Sequence, residues 1–386
     1  MSPRARRTAV PPWRVLLAFG TRPEAIKMAP VVAALRAEAP RIRTRVVVTG
    51  QHREMLDQVL SLYGIVPDHD LDIMGRRQSL TQITRRALAR IGKLLASEKP
   101  DLVLVQGDTT TTFAAALACY YARVPVGHVE AGLRTGERFQ PYPEEMNRVL
   151  TSHLADWHYA PTRRAREALL REGIPAARVR VTGNTVIDAV LAVAGKPLAR
   201  SPVRGWRPDP ARRLVLLTAH RRENFGEPLR EICRAVLDLV DRYPDVDVIY
   251  PVHLNPAVRE IVRPMLGRRK RVHLAPPQGY HPFVALMAHA TLILTDSGGI
   301  QEEAPSLGKP VLVLRHVTER PEAVEAGTVK VVGPVRRRIV AEARRLLDDP
   351  RAYKRMARRV NPYGDGKASG RIVKHILRLA RRRGGA

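Results

Sequence analysis

Acids and glycines follow an apolar run near the end of this 386-residue chain. Asp296 comes directly after TLILT, and Gly298 and Gly299 come next. Glycines let an anion approach backbone N–H groups at a helix start, where the helix dipole favours negative charge. A carboxylate one turn further along, in the pair at 302–303, can accept hydrogen bonds from vicinal hydroxyls such as those of a ribose. The stretch therefore suits a nucleotide site, but also an ordinary loop capped by Asp296 or Ser297.

Three other acids and a histidine are candidates for chemistry. Asp108, Glu130 and His220 stand where the apolar runs DLVLVQG, PVGHV and RLVLLTA end, and Glu144 follows PYP at a helix start. Loops at strand ends commonly carry functional side chains, and these residue types suit proton transfer. Each has a structural alternative, because Asp108 can cap a helix, glutamates favour a helix start, and a lone histidine is often packed.

Cations and an aromatic residue complete the candidate set. Arg22 and Lys27, in GTRPEAIK, can pair with a diphosphate or remain solvated at a helix that begins near Pro23. This motif is not GxGxxG, so no nicotinamide cofactor is predicted. Gln278 and Phe283 follow PP in PPQGYHPF, where Phe283 can stack on a base or belong to the core.

Metal and thiol chemistry are not predicted. His153 and His158 are five residues apart without the HExxH pattern, so we expect no catalytic zinc. Cys119 and Cys233 lie in apolar stretches, which favours core packing. Two cysteines cannot form a disulfide framework, and a reducing cytoplasm is the expected location.

The formal net charge of +29 comes mostly from arginine spread along the chain. No basic block alternates with stacking aromatics, so we predict no nucleic-acid partner, although an anionic small substrate would be attracted. The N-terminal segment MSPRARRTAVPPWRVLLAFG has too short an apolar run for a signal peptide and is interpreted as a disordered lead into the first strand. No stretch is long enough for membrane insertion.

Strand-like and helix-like segments alternate throughout, which predicts parallel sheets covered on both faces. The pattern loosens at about 190–212, a Pro-, Gly- and Arg-rich stretch interpreted as a linker. We therefore expect an α/β protein with two doubly wound domains, at 1–198 and 199–368, followed by a helix at 369–386. Such proteins bind ligands at the carboxyl ends of their strands, here in a cleft between the domains.

The motifs, taken in order over nearly the whole chain, resemble those of the non-hydrolysing UDP-N-acetylglucosamine 2-epimerases. They include FGTRPEAIKMAPVV, TGQHREML, VQGDTTTT, GHVEAGLRTG, PYPEEMNR, GNTVIDA, TAHRRENFG, YPVHLNP, TDSGGIQEEAPSLGKPVLVLR and NPYGDGKASGRIV. The resemblance implies two Rossmann-like domains in the GT-B arrangement and interconversion of UDP-GlcNAc and UDP-ManNAc. It also implies that the chain works without NAD, as a homodimer, with its last helix packed on the first domain.

The family's chemistry eliminates UDP to give 2-acetamidoglucal and adds it back with the proton on the opposite face. By the resemblance, Asp108, Glu130 and Glu144 match the essential carboxylates and His220 the essential histidine; the acid that takes the proton is left open. The positions that match the substrate-binding residues are Arg22, Lys27, Gln278, Phe283, Ser297, Gly298, Gly299, Glu303 and Arg320.

A second UDP-GlcNAc site, which activates some family members, is implied by similarity at Gln51, His52, Arg77, Gln78 and His253. The chain has His316-Val317 where a typical family member has Asp-Thr, a difference on the nucleotide side of the expected cleft. One alternative is a 2-epimerase of a modified UDP-sugar such as a UDP-diacetamido uronic acid. The others are a related glycosyltransferase, a hydrolysing relative and a nucleotide-sugar sensor without catalysis.

Overall fold

The computed structural model describes residues 11–50, 53–75, 78–198 and 201–383. The N-terminal lead interpreted as disordered lies mostly outside these ranges. The chain divides into two compact units, residues 1–189 with 366–386 and residues 190–365. The boundaries expected from the sequence were 198/199 and 368/369.

The first unit contains seven strands and eight helices among its described residues. The strands are β1 (Trp13–Phe19), β2 (Ile42–Val48), β3 (His69–Asp70), β4 (Leu102–Gln106), β5 (Val126–Val129), β6 (Trp157–Ala160) and β7 (Val179–Val181). The helices are α1 (Arg22–Arg36), α2 (Arg53–Leu62), α3 (Leu80–Glu98), α4 (Thr110–Tyr121), α5 (Glu144–Leu154), α6 (Arg163–Arg171), α7 (Thr185–Ala194), which continues into the second unit, and α15 (Ala368–Arg383).

The second unit repeats the pattern with six strands. These are β8 (Arg213–Thr218), β9 (Val246–Pro251), β10 (Val272–Ala275), β11 (Leu292–Thr295), β12 (Val311–Val313) and β13 (Val329–Val331). Its helices are α8 (Glu227–Arg242), α9 (Pro256–Leu266), α10 (Tyr280–His289), α11 (Gly298–Glu303), α12 (Pro321–Glu325), α13 (Arg336–Asp348) and α14 (Pro350–Ala357).

Both sheets are parallel and doubly wound, which confirms the predicted fold class. The strand order is β3-β2-β1-β4-β5-β6-β7 in the first and β10-β9-β8-β11-β12-β13 in the second. Each order reverses once, between β1 and β4 and between β8 and β11. Loops that leave the carboxyl ends of strands at such a reversal are where doubly wound sheets bind ligands.

Apolar runs place the central strands in the cores. All residues of β4 are buried, as are the last five of both β1 and β8. Helices cover the sheets, and α15 returns to pack against α1. Asp188 accepts hydrogen bonds from the backbone N–H groups of Ala368 and Ser369, at 3.1 and 2.8 Å, and so fixes the start of α15.

The sequence did not predict three short edge strands, β3, β7 and β10, or the helices α7, α9 and α12. β3 and β7 have only two and three residues, and most of those are not buried, so neither has a continuous apolar run. The stretch interpreted as a linker begins later than expected because α7 extends to Ala194. Within the described ranges, no helix is long and apolar enough to cross a membrane.

Candidate functional site

The loop after β1 is fixed by a buried carboxylate that the sequence analysis did not single out. Thr21 caps α1, and Glu24 completes a capping box by accepting from the backbone N–H of Thr21 at 2.7 Å. The other oxygen of Glu24 accepts from the hydroxyls of Thr109 and Thr112, at 2.7 and 3.0 Å. Glu24 therefore joins the loop after β1 to the loop after β4, on either side of the strand reversal.

Lys27 and Glu130 form a buried ion pair in the first unit. The Lys27 ammonium lies 2.6 Å from Oε1 and 2.7 Å from Oε2 of Glu130. Asn184 donates to Oε1 at 2.8 Å, and Gln106 donates to Oε2. The Lys27 predicted to contact a diphosphate is thus held by a carboxylate of its own unit.

Asp108 follows β4 and is held by α5. Its carboxylate accepts from Arg148 at 2.6 Å, and its carbonyl accepts from Asn147 at 2.9 Å. Burial raises the pKa of Asp108, and the charges of Glu130 and Glu144 raise it further, while Arg148 opposes the change. The alternative in which Asp108 caps a helix is wrong, because the N-cap of α4 is Thr109. A carboxyl that is easily protonated beside two other acids suits acid–base catalysis.

The adjacent acids at the start of α5 have different environments. Glu145 is buried and accepts from the backbone N–H groups of Thr135, at 3.1 and 3.2 Å, and of Gly136, at 3.1 Å. It also lies 3.4 Å from the Arg148 guanidinium. Glu144 is half-buried and, within the described ranges, has no hydrogen bond or ion pair. Glu145 therefore holds the loop before α5, and the carboxylate of Glu144 is available to a ligand.

In the second unit, His220 follows β8 and rests against a fully buried acid. Asp296 Oδ2 accepts from the backbone N–H groups of His220 and Arg221, both at 2.8 Å, and Oδ1 lies 3.5 Å from His220 Nδ1. The other face of the imidazole stacks on His253, with ring centroids 5.5 Å apart. Burial lowers the pKa of His220, His253 and Arg221 add to the effect, and Asp296 opposes it.

The two glycines that follow β11 lie beside a cation and an acid. A methyl group on Gly298 would lie 3.8 Å from the Arg320 guanidinium, and one on Gly299 would lie 3.5 Å from Glu303 Oε1. Of the two adjacent acids, Glu302 is buried and accepts from Arg320 Nε, whereas Glu303 is half-buried. The structure thus places Arg320 and Glu303 beside the glycines that were predicted to approach a phosphate.

The remaining predicted substrate-binding residues also lie at helix starts or strand ends. Arg22 is the first residue of α1, and Phe283 is half-buried in the first turn of α10. Gln278 donates to the carbonyl of Pro276 at 2.7 Å. Ser297 is the N-cap of α11, but its side chain caps no N–H group.

The residues assigned to a second site are only partly described. Gln51, His52 and Arg77 lie outside the described residues. Gln78 accepts from the backbone N–H of Gly75 at 2.5 Å, and His253 is exposed apart from its stacking on His220.

Glu24 was not singled out from the sequence, and three other buried carboxylates, Glu145, Asp296 and Glu302, were not predicted to accept the hydrogen bonds that organise the site. The capping-box spacing of Thr21 and Glu24 was a readable signal for the first. For Asp296, the signal was an acid that directly follows an apolar strand. The described residues contain no cluster of three or more potential metal ligands.

Two doubly wound parallel domains, with polar loops at the carboxyl ends of their strands, make the chain an α/β enzyme of the GT-B fold class. The family model for UDP-N-acetylglucosamine 2-epimerase matches residues 34–377. The chain therefore belongs to the UDP-N-acetylglucosamine 2-epimerase family, a family of isomerases.

Individual relatives are consistent with this family membership. The UDP-N-acetylglucosamine 2-epimerase of Escherichia coli K12 is 57% identical over 369 residues, which cover 94% of this chain and 98% of the relative. The crystal structure of the Neisseria meningitidis enzyme bound to UDP-GlcNAc has a TM-score of 0.84 at 51% identity and covers 95% and 100% of the two chains. The S. aureus MnaA structure with UDP has a TM-score of 0.82 at 48% identity, covering 96% and 97%.

Proposed function

We propose that the chain interconverts UDP-GlcNAc and UDP-ManNAc by eliminating UDP and adding it back. The observation that carries this proposal is the group of acids Asp108, Glu130 and Glu144 around Lys27 and Arg148 in the first unit. The relatives that are named for this activity, and the neighbour bound to UDP-GlcNAc, support the substrate.

In the elimination, a base takes the proton from carbon 2 and the bond from carbon 1 to UDP breaks. The electron pair of the C–H bond forms the double bond of 2-acetamidoglucal, and the pair of the broken C–O bond leaves with the diphosphate. Return of UDP and delivery of a proton to the opposite face of carbon 2 complete the epimerisation. The steps need a base, an acid and cations that stabilise the departing diphosphate.

The second unit would bind UDP. Arg320 is a cation beside Gly298 and Gly299, where a diphosphate can approach the backbone. Glu303 is half-buried and its Oε1 lies beside Gly299, so it would accept from the ribose hydroxyls. Phe283 and Gln278 would contact the uracil. His220, kept neutral by its lowered pKa, would exchange a proton during departure or return of UDP.

Proton NMR of the purified protein with UDP-GlcNAc in heavy water tests this function. A new UDP-ManNAc anomeric signal with deuterium at carbon 2 of both sugars is the expected result. Accumulation of free ManNAc and UDP would indicate hydrolysis. If neither UDP-ManNAc nor free ManNAc forms while UDP still binds, UDP-GlcNAc is not the substrate and a modified UDP-sugar is favoured.

We further propose that the chain forms a homodimer and that UDP-GlcNAc activates it at a second site. Tyr120 and Tyr121, at the end of α4, are 63% and 68% exposed, as expected of residues that a partner covers. The stacking of His253 on His220 would connect a second ligand to the proposed catalytic histidine. A monomer in light scattering would refute the first proposal, and hyperbolic rates in both directions with one binding site per subunit would refute the second.

A further inference from the structure

Glu130 is held in an unusual backbone conformation. It follows β5 with φ at +64°, in the left-handed region that non-glycine residues seldom adopt and that persists where the surroundings enforce it. Two residues later, Gly132 has φ at +91°, and a methyl group there would lie 2.2 Å from the Ala165 carbonyl oxygen. Close packing on α6 therefore fixes the chain next to Glu130.

The carboxylate of Glu130 already has as many donors as it can accept. An ionised carboxylate offers about four acceptor positions. Lys27 contacts both oxygens, Asn184 donates to Oε1, and Gln106 donates to Oε2. The side chain is only 5% exposed. A proton could reach either oxygen only by displacing one of these donors.

The cation beside Glu130 favours its ionised form, and a neighbouring acid opposes it. Among the described residues, the titratable groups that face Glu130 include the cation Lys27 from α1, the acid Asp108 after β4 and His128 on β5. Burial lowers the pKa of His128 to about 4, so this imidazole is neutral near pH 7, and its Nε2 lies 2.7 Å from the Gly107 carbonyl. Lys27 is therefore the charge that balances Glu130.

We propose that Gln106 and Asn184 are positioning residues that, together with Lys27, hold Glu130 permanently ionised. Glu130 then acts by fixing the ammonium of Lys27, and proton transfer at carbon 2 falls to the other carboxylates. This assignment rests on the proposed epimerase function and refines it. It separates Glu130 from Asp108, which has one described side-chain donor, Arg148, and from Glu144, which has none within the described ranges.

Replacing Gln106 with methionine tests the proposal, because Q106M keeps the length of the side chain and removes the Nε2 donor. The matched control is T49V, which also removes one buried hydrogen bond in the same unit, between Thr49 and Thr111, but none to a carboxylate. Without one donor the ionised form of Glu130 is less stable, so a higher pH is needed to keep it charged. A group other than Glu130 sets the acid limb of the kcat/KM profile in the parent protein; in Q106M Glu130 should set it, at higher pH, and in T49V the limb should stay in place.

The decisive kinetic result is how the loss of turnover in Q106M depends on pH. Turnover of Q106M should fall about tenfold on the acid side and recover in alkaline buffer, since one pH unit is a factor of ten in ionisation. An equal loss at every pH, with an unmoved acid limb, would overturn the proposal. If Q106M does not fold, N184S replaces it, because serine keeps an oxygen for the Val186 N–H and loses the donor to Glu130.

A second readout does not depend on activity. Carbon-13 NMR of protein labelled at the glutamate carboxyl carbons, with E130Q to assign the signal, follows Glu130 directly. The signal should stay at its ionised position down to pH 5 in the parent protein and titrate in Q106M. Titration of Glu130 above pH 5 in the parent would refute the proposal even if the protein were not an epimerase. Epimerase failure would appear separately, as the absence of UDP-ManNAc.

Discussion

Glutamine substitutions at Glu144 and Glu145 should separate a catalytic acid from a structural one. The two residues are adjacent and chemically identical, but Glu145 accepts three contacts of 3.1–3.2 Å from two backbone N–H groups, and Glu144 accepts none within the described ranges. An amide at position 145 has one accepting oxygen instead of two, and its NH₂ group would face a backbone donor or the Arg148 guanidinium. Losing one charge-assisted bond in this buried site costs about 1.5–3 kcal/mol.

The expected effects on stability and turnover are opposite. For a unit of roughly 200 residues, the loss in E145Q lowers Tm by about 3–12 °C, because 1 kcal/mol corresponds to roughly 2–4 °C. E145Q should keep most of its turnover well below Tm. The free energy of unfolding of E144Q should lie within about 0.5 kcal/mol of that of the parent protein. Its turnover should fall by about 10²–10⁴, the usual contribution of a general acid or base.

Thermal unfolding by circular dichroism and initial rates by NMR measure the two quantities on the same samples. The reasoning would be refuted if E144Q lowered Tm as much as E145Q, or if E144Q kept parental turnover. It would also be refuted if E145Q were fully stable, since the three contacts to the loop before α5 would then contribute nothing.

The remaining predictions concern the second unit. D296N keeps an oxygen for the backbone N–H groups but turns an amide NH₂ towards His220 Nδ1, so turnover should fall at least ~100-fold through the wrong tautomer. The pKa of His220, already lowered by burial, should drop further in D296N, because the charge of Asp296 raises it. The histidine then becomes protonated only at lower pH, so an acid limb due to His220 in the pH–rate profile should move to lower pH. G299A places a methyl group 3.5 Å from Glu303 Oε1, an ordinary contact, so calorimetry should show weaker UDP binding at an unchanged Tm. The control G92A, with open space on α3, should bind UDP like the parent protein.

Three results would contradict these expectations. D296N with parental turnover would show that Asp296 does not orient His220. An acid limb that stays in place, or moves upwards, would show that His220 does not govern it. Equal UDP affinity of G299A and G92A would show that Gly299 does not take part in phosphate binding.

The sequence was sufficient for the fold because the relevant signals are local. The central strands β1, β4, β8 and β11 are continuous apolar runs, and the helices between them have recognisable starts, such as Thr21 with Pro23. The short strands β3 and β7 were missed because two or three mostly unburied residues carry no such pattern. They form by pairing with β2 and β6, which the order of residues alone does not reveal.

The positions of the candidate site residues could also be predicted, since glycines and acids directly after apolar strands mark loops at the carboxyl ends of a parallel sheet. Their separate roles could not. Glu144 and Glu145, like Glu302 and Glu303, are neighbours of the same type, so local sequence gives no reason to choose between them. The choice depends on partners distant in the chain: Thr135 for Glu145 and Arg320 for Glu302.

The sequence by itself thus determined the alternation of the central strands with helices and which loops carry reactive side chains, because these follow from hydrophobic periodicity and turn chemistry over a few residues. Only the tertiary structure decided which donors each acid accepts hydrogen bonds from. Glu130 shows this most clearly, since its donors Lys27, Gln106 and Asn184 come from three separate parts of the chain. A carboxylate's role depends on the number of its donors and on its burial, and folding sets both by bringing distant residues together.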